Sequence, residues 1–256
     1  MCIRDRIKTH GFEKRKLPEE ILTADEVRRL AEATRTPRDR AMLMVLYESG
    51  ARIGELLALK IKHVEFDRFG ALAMLSGKTG MRRVRLIDSI PDLKIWLNHH
   101  PFKAEPDSHL FVMLKNNKPM GSHSTFLRVL DRAKRKAGIK KRIYPHLFRH
   151  SRATHLAQDF TEQELKIIFG WSGGSRMPAT YVHLSGADID RKILEKRGIL
   201  DRNEERPDAA EPLHIKICAN CKEKNSPNAN FCMVCGSAIS SQENLRNTGR
   251  ADTMYR

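Results

Sequence analysis

Apolar residues in this chain recur mostly at helical spacing, with two short stretches that alternate instead. Thr23-Ala24-Asp25-Glu26 has the form of a capping box, with Thr23 as N-cap and Glu26 at the third helical position. A helix is therefore expected over residues 24–34. Thr36-Pro37 heads a second helix, where proline's missing N–H costs nothing. Its Ala41, Leu43, Met44, Val45 and Leu46 cover most of the circumference, which predicts burial, and Gly50 ends it. A short third helix follows over 52–59. Residues 71–76 and 82–87 read as two strands joined by the glycine-rich turn GKTGM. Then come a helix at 91–98 with Trp96 on its apolar side, a short strand at 109–114 and an amphipathic helix at 123–137 that stops near Gly138. Pro145 sits just inside the next helix start. A second capping box, Thr161 to Glu164, heads a helix to Phe169; 170–174 is a loop. One further helix carries Tyr181 and another spans 188–196. Helices outnumber strands, so the expected class is α+β, mainly helical, with a small antiparallel sheet.

The flanks differ from this core. Residues 1–16 are basic and aperiodic, and read as a flexible arm before a main domain at 17–200. Residues 201–213, DRNEERPDAAEPL, are acidic, hold two prolines and lack aromatics, which marks a linker. Residues 214–239 form a small cysteine module, and 240–256 a polar, disordered tail. No internal repeat is present.

Charge narrows the partner. Of 256 residues, 40% are hydrophobic and 30% charged, a globular balance. Lys and Arg number 47 against 31 Asp and Glu, a surplus of +16 that suggests a polyanion. No apolar run approaches the roughly 20 residues that span a bilayer, and no lipidation signal occurs, so nucleic acid is favoured over a membrane. The start lacks a secretory apolar core, which makes a reducing cytoplasm the default. Cys2 is isolated. Cys218-x2-Cys221 and Cys232-x2-Cys235, ten residues apart, have the spacing of two knuckles around a tetrahedral zinc ion. The module resembles a zinc ribbon. Four protein ligands leave no open position, so the zinc would be structural. Lys216, Lys222 and Lys224 tilt the ribbon toward DNA, with an accessory protein as the other partner.

Several residues resist explanation by packing. Residues 144–155 read YPHLFRHSRATH, and a helix there puts His146, Arg149 and His150 on one face. Crowded cationic groups suit a bound anion. Arg52 follows the Gly50 helix stop, with Glu55 three residues on to hold it. Lys78 sits in the hairpin turn. Tyr181 lies on an apolar face with Val182 and Leu184. Taken singly, these read as a surface salt bridge, a solvated turn lysine, a helix surface and a core tyrosine.

Their order is more specific. ARIGEL, a Gly-Lys turn between strands, HLFRHSRATHL, FGW and YVH, spread over 17–197, resemble the tyrosine recombinase (phage integrase) family. The resemblance implies cleavage and rejoining of double-stranded DNA through a 3′-phosphotyrosine, with no metal or ATP. It implies Tyr181 as nucleophile, Arg52 and Arg149 as a clamp on the scissile phosphate, and Lys78 as general acid to the 5′-oxygen. His146 would assist proton transfer at Tyr181 or bond the phosphate. Trp171 stands where the family usually has histidine; its indole N–H would bond the phosphate, or the ring would pack as core. The stretch WSGGSRMPATYVHL looks like the longer form of archaeal members. His150, His155 and His183 match positions read as supporting. The run KRKAGIKKR at 134–142 would face the DNA backbone. The family further implies a homotetramer on two DNA sites, docked through the helix at 188–196, and a nucleoid-associated cytoplasmic protein. Only 16 residues precede Leu17, where the family usually has a helical core-binding domain, so a truncated copy or one working with help is expected. Two other readings remain: a type IB topoisomerase-like relaxase, and a non-catalytic DNA-binding regulator.

Overall fold

The computed structural model of the chain describes residues 20–182, 193–194, 196–199, 215–226 and 229–239. Both capping boxes form. Glu26 N–H donates to Thr23 Oγ1 (3.2 Å) while Glu26 Oε2 accepts from Thr23 N–H (2.9 Å), opening α1, Ala24–Glu32. Thr161 and Glu164 pair in the same way ahead of α7, Glu162–Phe169. Helix α2, Pro37–Ser49, is buried along nearly its whole length, as its unbroken apolar coverage requires. It ends at Gly50, whose φ of 56° is left-handed. A side chain there would also drive its Cβ to 2.3 Å from Phe169 Cε1.

Helix α3, Ile53–Leu57, is shorter than its predicted extent to 59. A three-stranded antiparallel sheet follows, β1 Val64–Asp67, β2 Gly70–Gly77 and β3 Gly80–Leu86, in the order β1-β2-β3. Strand β1 was not foreseen: four residues are too few for alternation to stand out, and pairing with β2 creates it. Gly77 opposite Gly80 leaves Lys78-Thr79 as a two-residue turn. Next come α4 Ile90–Asn98, α5 His123–Ala137 and α6 Pro145–Leu156.

The strand expected at 109–114 does not form. Only isolated bridges occur, Lys60 to His109 and Val112 to Pro119, and the chain folds back after Met113, with Asn117 at φ 55°. Its apolar run reflects burial of Leu110, Phe111 and Val112 rather than a ladder. The helix expected to carry Tyr181 is instead a 3₁₀ turn, Pro178–Thr180, with Tyr181 at its C-terminal end. The predicted helix at 188–196, the linker at 201–213, His183 and both termini lie wholly or mostly outside the described residues.

The main core gathers around α2, which packs on α1, α4 and α6. A second, smaller cluster joins Ala153 of α6 and Ala157 at its C-cap to Leu165 and Phe169 of α7, with Trp171, Tyr181 and Val182 packed against it. Burying each large apolar side chain contributes about 1.5–3 kcal/mol, so this cluster fixes where the segment carrying Tyr181 lies. Residues 215–226 and 229–239 form a separate small unit around β4, Lys216–Ile217, and β5, Lys224–Asn225. It contacts the larger unit through Lys94 Nζ to Glu223 Oε1 (2.8 Å) and Arg40 Nη2 to Ser226 Oγ (3.0 Å). Among the described residues, no helix is long and apolar enough to cross a membrane.

Candidate active site

Three guanidiniums converge where α2, α6, α7 and the β2–β3 hairpin meet. Arg149, in the middle of α6, is 2% exposed. Its Nη1 donates to Gly50 O (2.7 Å) and its Nη2 to Phe169 O (2.7 Å), so one side chain joins the C-terminal ends of α2 and α7. These are carbonyls that a helix leaves unpaired, and its dipole makes them attract cations. The guanidinium also lies 5.1 Å from the centre of the Phe169 ring and 5.6 Å from that of Trp171. Burial, then the charges of Arg52 and Arg82, pull Arg149 down to about 10. It stays a cation at neutral pH.

Glu55 orders the other two. Its carboxylate accepts from Arg52 Nη1 (2.8 Å), Arg52 N–H (3.0 Å) and Arg82 Nη2 (2.8 Å). Burial alone would raise this carboxyl, but the hydrogen bonds from Arg82 and Arg52 outweigh it and hold it below its ordinary value. Gly77 lets the hairpin pass this close, since a Cβ there would sit 2.4 Å from Glu55 Oε1. Arg82 Nε donates to Ile168 O (3.1 Å), and Thr79 Oγ1 donates to Gly170 O (2.7 Å). Three successive carbonyls at the end of α7 are thus taken by β3, α6 and the hairpin turn. Lys78 is exposed on that turn, beside Thr79.

The phenol of Tyr181 lies next to this group. Its ring stacks on Trp171, centroids 5.7 Å apart and planes within 1°, and Trp171 stacks on Phe169 at 4.9 Å. Its hydroxyl is hydrogen-bonded to Nδ1 of His150. His146 is exposed one helical turn earlier, its ring edge-on to His150 with centroids 4.5 Å apart. On the far side of α6, His155 Nδ1 meets Tyr47 Oη at 2.7 Å. Burial, with the Arg152 charge, pulls His155 down to about 4.

The sequence matches the family described as "Phage integrase family" over residues 20–187, well over half its length. The chain belongs to that family. It is 35% identical over 167 residues to tyrosine recombinase XerA of Pyrococcus furiosus, an alignment covering 63% of this chain and 56% of that protein. It is 34% identical over 178 residues to tyrosine recombinase XerC of Xanthomonas axonopodis pv. citri, covering 66% and 55%. The crystal structure of XerA recombinase superposes with a TM-score of 0.55 at 27% identity, covering 69% of this chain and 65% of that one. The structure of XerH site-specific recombinase bound to its difH substrate shares the fold, with a TM-score of 0.56 at 22% identity, over 70% of this chain and 53% of that one. The chain spans a little over half the length of these curated relatives.

Within this integrase-family domain, Arg52, Arg149, Trp171 and Tyr181 come together as one group, with the Lys78 turn fastened beside it. His146 lies at its rim. One neighbour was missed from sequence. Arg82 is 8% exposed and bridges Glu55 to α7. It shares the inward face of β3 with Val84 and Leu86, and an arginine in an inward register was the available signal. His150, read as a supporting group, touches the Tyr181 hydroxyl itself.

In the small unit, Sγ of Cys218 lies 3.5 Å from that of Cys235, and Sγ of Cys221 3.5 Å from that of Cys232. All four lie within 4.8 Å of one another. Zn–S bonds of about 2.3 Å place tetrahedral sulfurs ~3.8 Å apart, so the donor set and its spacing fit zinc.

Proposed function

We propose that the protein is a site-specific DNA recombinase that cuts and rejoins double-stranded DNA through a 3′-phosphotyrosine at Tyr181. The observation that carries this reading is the convergence of a phenol with the guanidiniums of Arg149 and Arg52 on a basic domain of this family. Attack on a phosphodiester concentrates negative charge on the non-bridging oxygens, and fixed guanidiniums bind that charge without reorganising. Arg52 and Arg149 bind the phosphate, and Lys78 protonates the departing 5′-oxygen. The indole N–H of Trp171 and the His146 imidazole complete the cradle. The ester energy stays in the phosphotyrosine bond, so the chemistry needs neither metal nor ATP. One zinc held by Cys218, Cys221, Cys232 and Cys235 would keep the ribbon folded, with every coordination position filled by protein. The working unit is a homotetramer on two DNA sites in the cytoplasm, at the nucleoid, with the ribbon free to meet DNA or an accessory protein.

Nicked suicide duplexes drawn from the DNA flanking the gene test this. The wild-type protein should form a covalent protein–DNA adduct, and Tyr181→Phe should bind equally and form none. Tight binding without an adduct in the wild type would overturn the enzyme reading in favour of a regulator. Relaxation of supercoils irrespective of sequence would replace recombination by topoisomerase-like action.

A further inference from the structure

We propose that His150 takes the proton from the Tyr181 nucleophile. The inference rests on the reading of Tyr181 as nucleophile and assigns the missing partner in that step. A phenol attacks phosphorus well only as its proton leaves, and a base must lie within hydrogen-bond reach of that proton. On this face of α6, Nδ1 of His150 is hydrogen-bonded to the Tyr181 hydroxyl. With a neutral phenol, the hydroxyl donates to Nδ1, which fixes the ring proton of His150 on Nε2. The contact is held from three sides. Helix α6 sets the imidazole, Trp171 sets the phenol by parallel stacking, and the Pro178–Thr180 turn delivers Tyr181 to it. His146 is exposed one helical turn earlier, its ring edge-on to that of His150.

The step balances without a further reagent. As the Tyr181 oxygen bonds to phosphorus, its proton passes to His150 Nδ1, and the ring becomes an imidazolium. The bond from phosphorus to the 5′-oxygen breaks, and that oxygen leaves with a proton from Lys78. On rejoining, the 5′-hydroxyl attacks phosphorus and gives its proton back to the neutral Lys78 amine, the tyrosyl oxygen leaves, and the His150 imidazolium returns its proton to it. Among the described residues, the titratable and charged groups near this pair include His146 on the same helix and Arg149, whose guanidinium lies 5.6 Å from the centre of the Trp171 ring. A nearby guanidinium also favours the developing phenolate.

The test uses the full chain on a nicked suicide duplex that the wild type cleaves, in single-turnover reactions, with duplex affinity measured beside each rate. His150→Ala and His150→Gln should bind with unchanged affinity and cleave more slowly by on the order of 10²–10⁴-fold. Glutamine can accept the tyrosine's hydrogen bond but cannot take its proton, so the two variants should fail alike. A duplex with sulfur in place of the scissile 5′-oxygen needs no general acid. It should rescue Lys78→Ala and leave His150→Ala slow. Replacing Tyr181 by a fluorinated, more acidic tyrosine should narrow the gap between wild type and His150→Ala. Wild-type rates in His150→Gln would make His150 only a positioning group and overturn the proposal. So would rescue of His150→Ala by the sulfur substrate. Absence of any adduct with the wild type would instead strike at Tyr181 as nucleophile.

Discussion

Glu55→Gln should cost the fold far more than its single-atom change suggests. The carboxylate is 5% exposed and faces Arg82, 7% exposed, at 2.8 Å. It also faces Arg52, whose side chain is 36% exposed. Two opposite charges about 4 Å apart attract by about 4 kcal/mol at an effective dielectric near 20. The Arg52 contact is solvent-screened and counts for much less. The loss is therefore dominated by Arg82, which would be left as a buried cation facing a neutral amide. Removing one member of such a pair costs about 3–5 kcal/mol, a large share of a typical 5–15 kcal/mol total. Urea unfolding followed by fluorescence of Trp96 and Trp171, both in the larger unit, measures it. Arg82→Met alone also destabilises, because it gives up the bond to Ile168 O. The double variant should lose less than the two singles together, by about 2–3 kcal/mol. A loss below about 1 kcal/mol in Glu55→Gln, or strict additivity in the cycle, would refute the view that this buried pair organises the site.

Two further outcomes are expected. His155 is held near 4 in the fold against about 6.5 in the unfolded chain, so the unfolded state binds the extra proton between those values. Stability should then fall by about 3 kcal/mol as pH drops from 6.5 to 4. Asp88, raised to about 7 by burial and the Glu48 charge, acts with the opposite sign. Urea midpoints of wild type and His155→Gln across that range isolate the histidine, and equal slopes in the two would rule the effect out. In the ribbon, metal analysis should find one zinc per chain, lost in Cys218→Ser together with protease resistance of residues 214–239; a resistant, metal-free ribbon would contradict a metal-dependent fold.

Much of this architecture was legible because the governing rules are local. A capping box needs four residues, a helix stop one glycine, and a zinc knuckle two cysteines at fixed spacing. Thr23, Gly50 and Cys218 carried those signals, although the metal is only inferred. What escaped depends on partners distant in sequence. Strand β1 exists because β2 offers it a ladder. The segment at 109–114 looked like a strand because buried loops and strands are equally apolar. Tyr181 was assigned to a helix from the apolar spacing of its neighbours, whereas a 3₁₀ turn opening at Pro178 sets the local backbone. His150 and His146 both share the Arg149 face, and the contact of His150 with the phenol depends on where the Pro178–Thr180 turn returns.

The same contacts would hold the proposed site in place before any DNA arrives. The last carbonyls of α7 have no partner within their own helix. Ile168 O, Phe169 O and Gly170 O are filled by Arg82, Arg149 and Thr79, which come from β3, α6 and the hairpin turn. Gly50 O, at the end of α2, is filled by Arg149 as well. Two of the five N–H donors of Arg149 are thus spent on structure, which leaves others to face a phosphate. A cation that must close two helix ends for the domain to fold cannot swing away to wait for substrate. Preorganisation of the proposed phosphate clamp would in this respect be a by-product of helix termination, and the residue proposed to stabilise the charge is also one the fold can least spare.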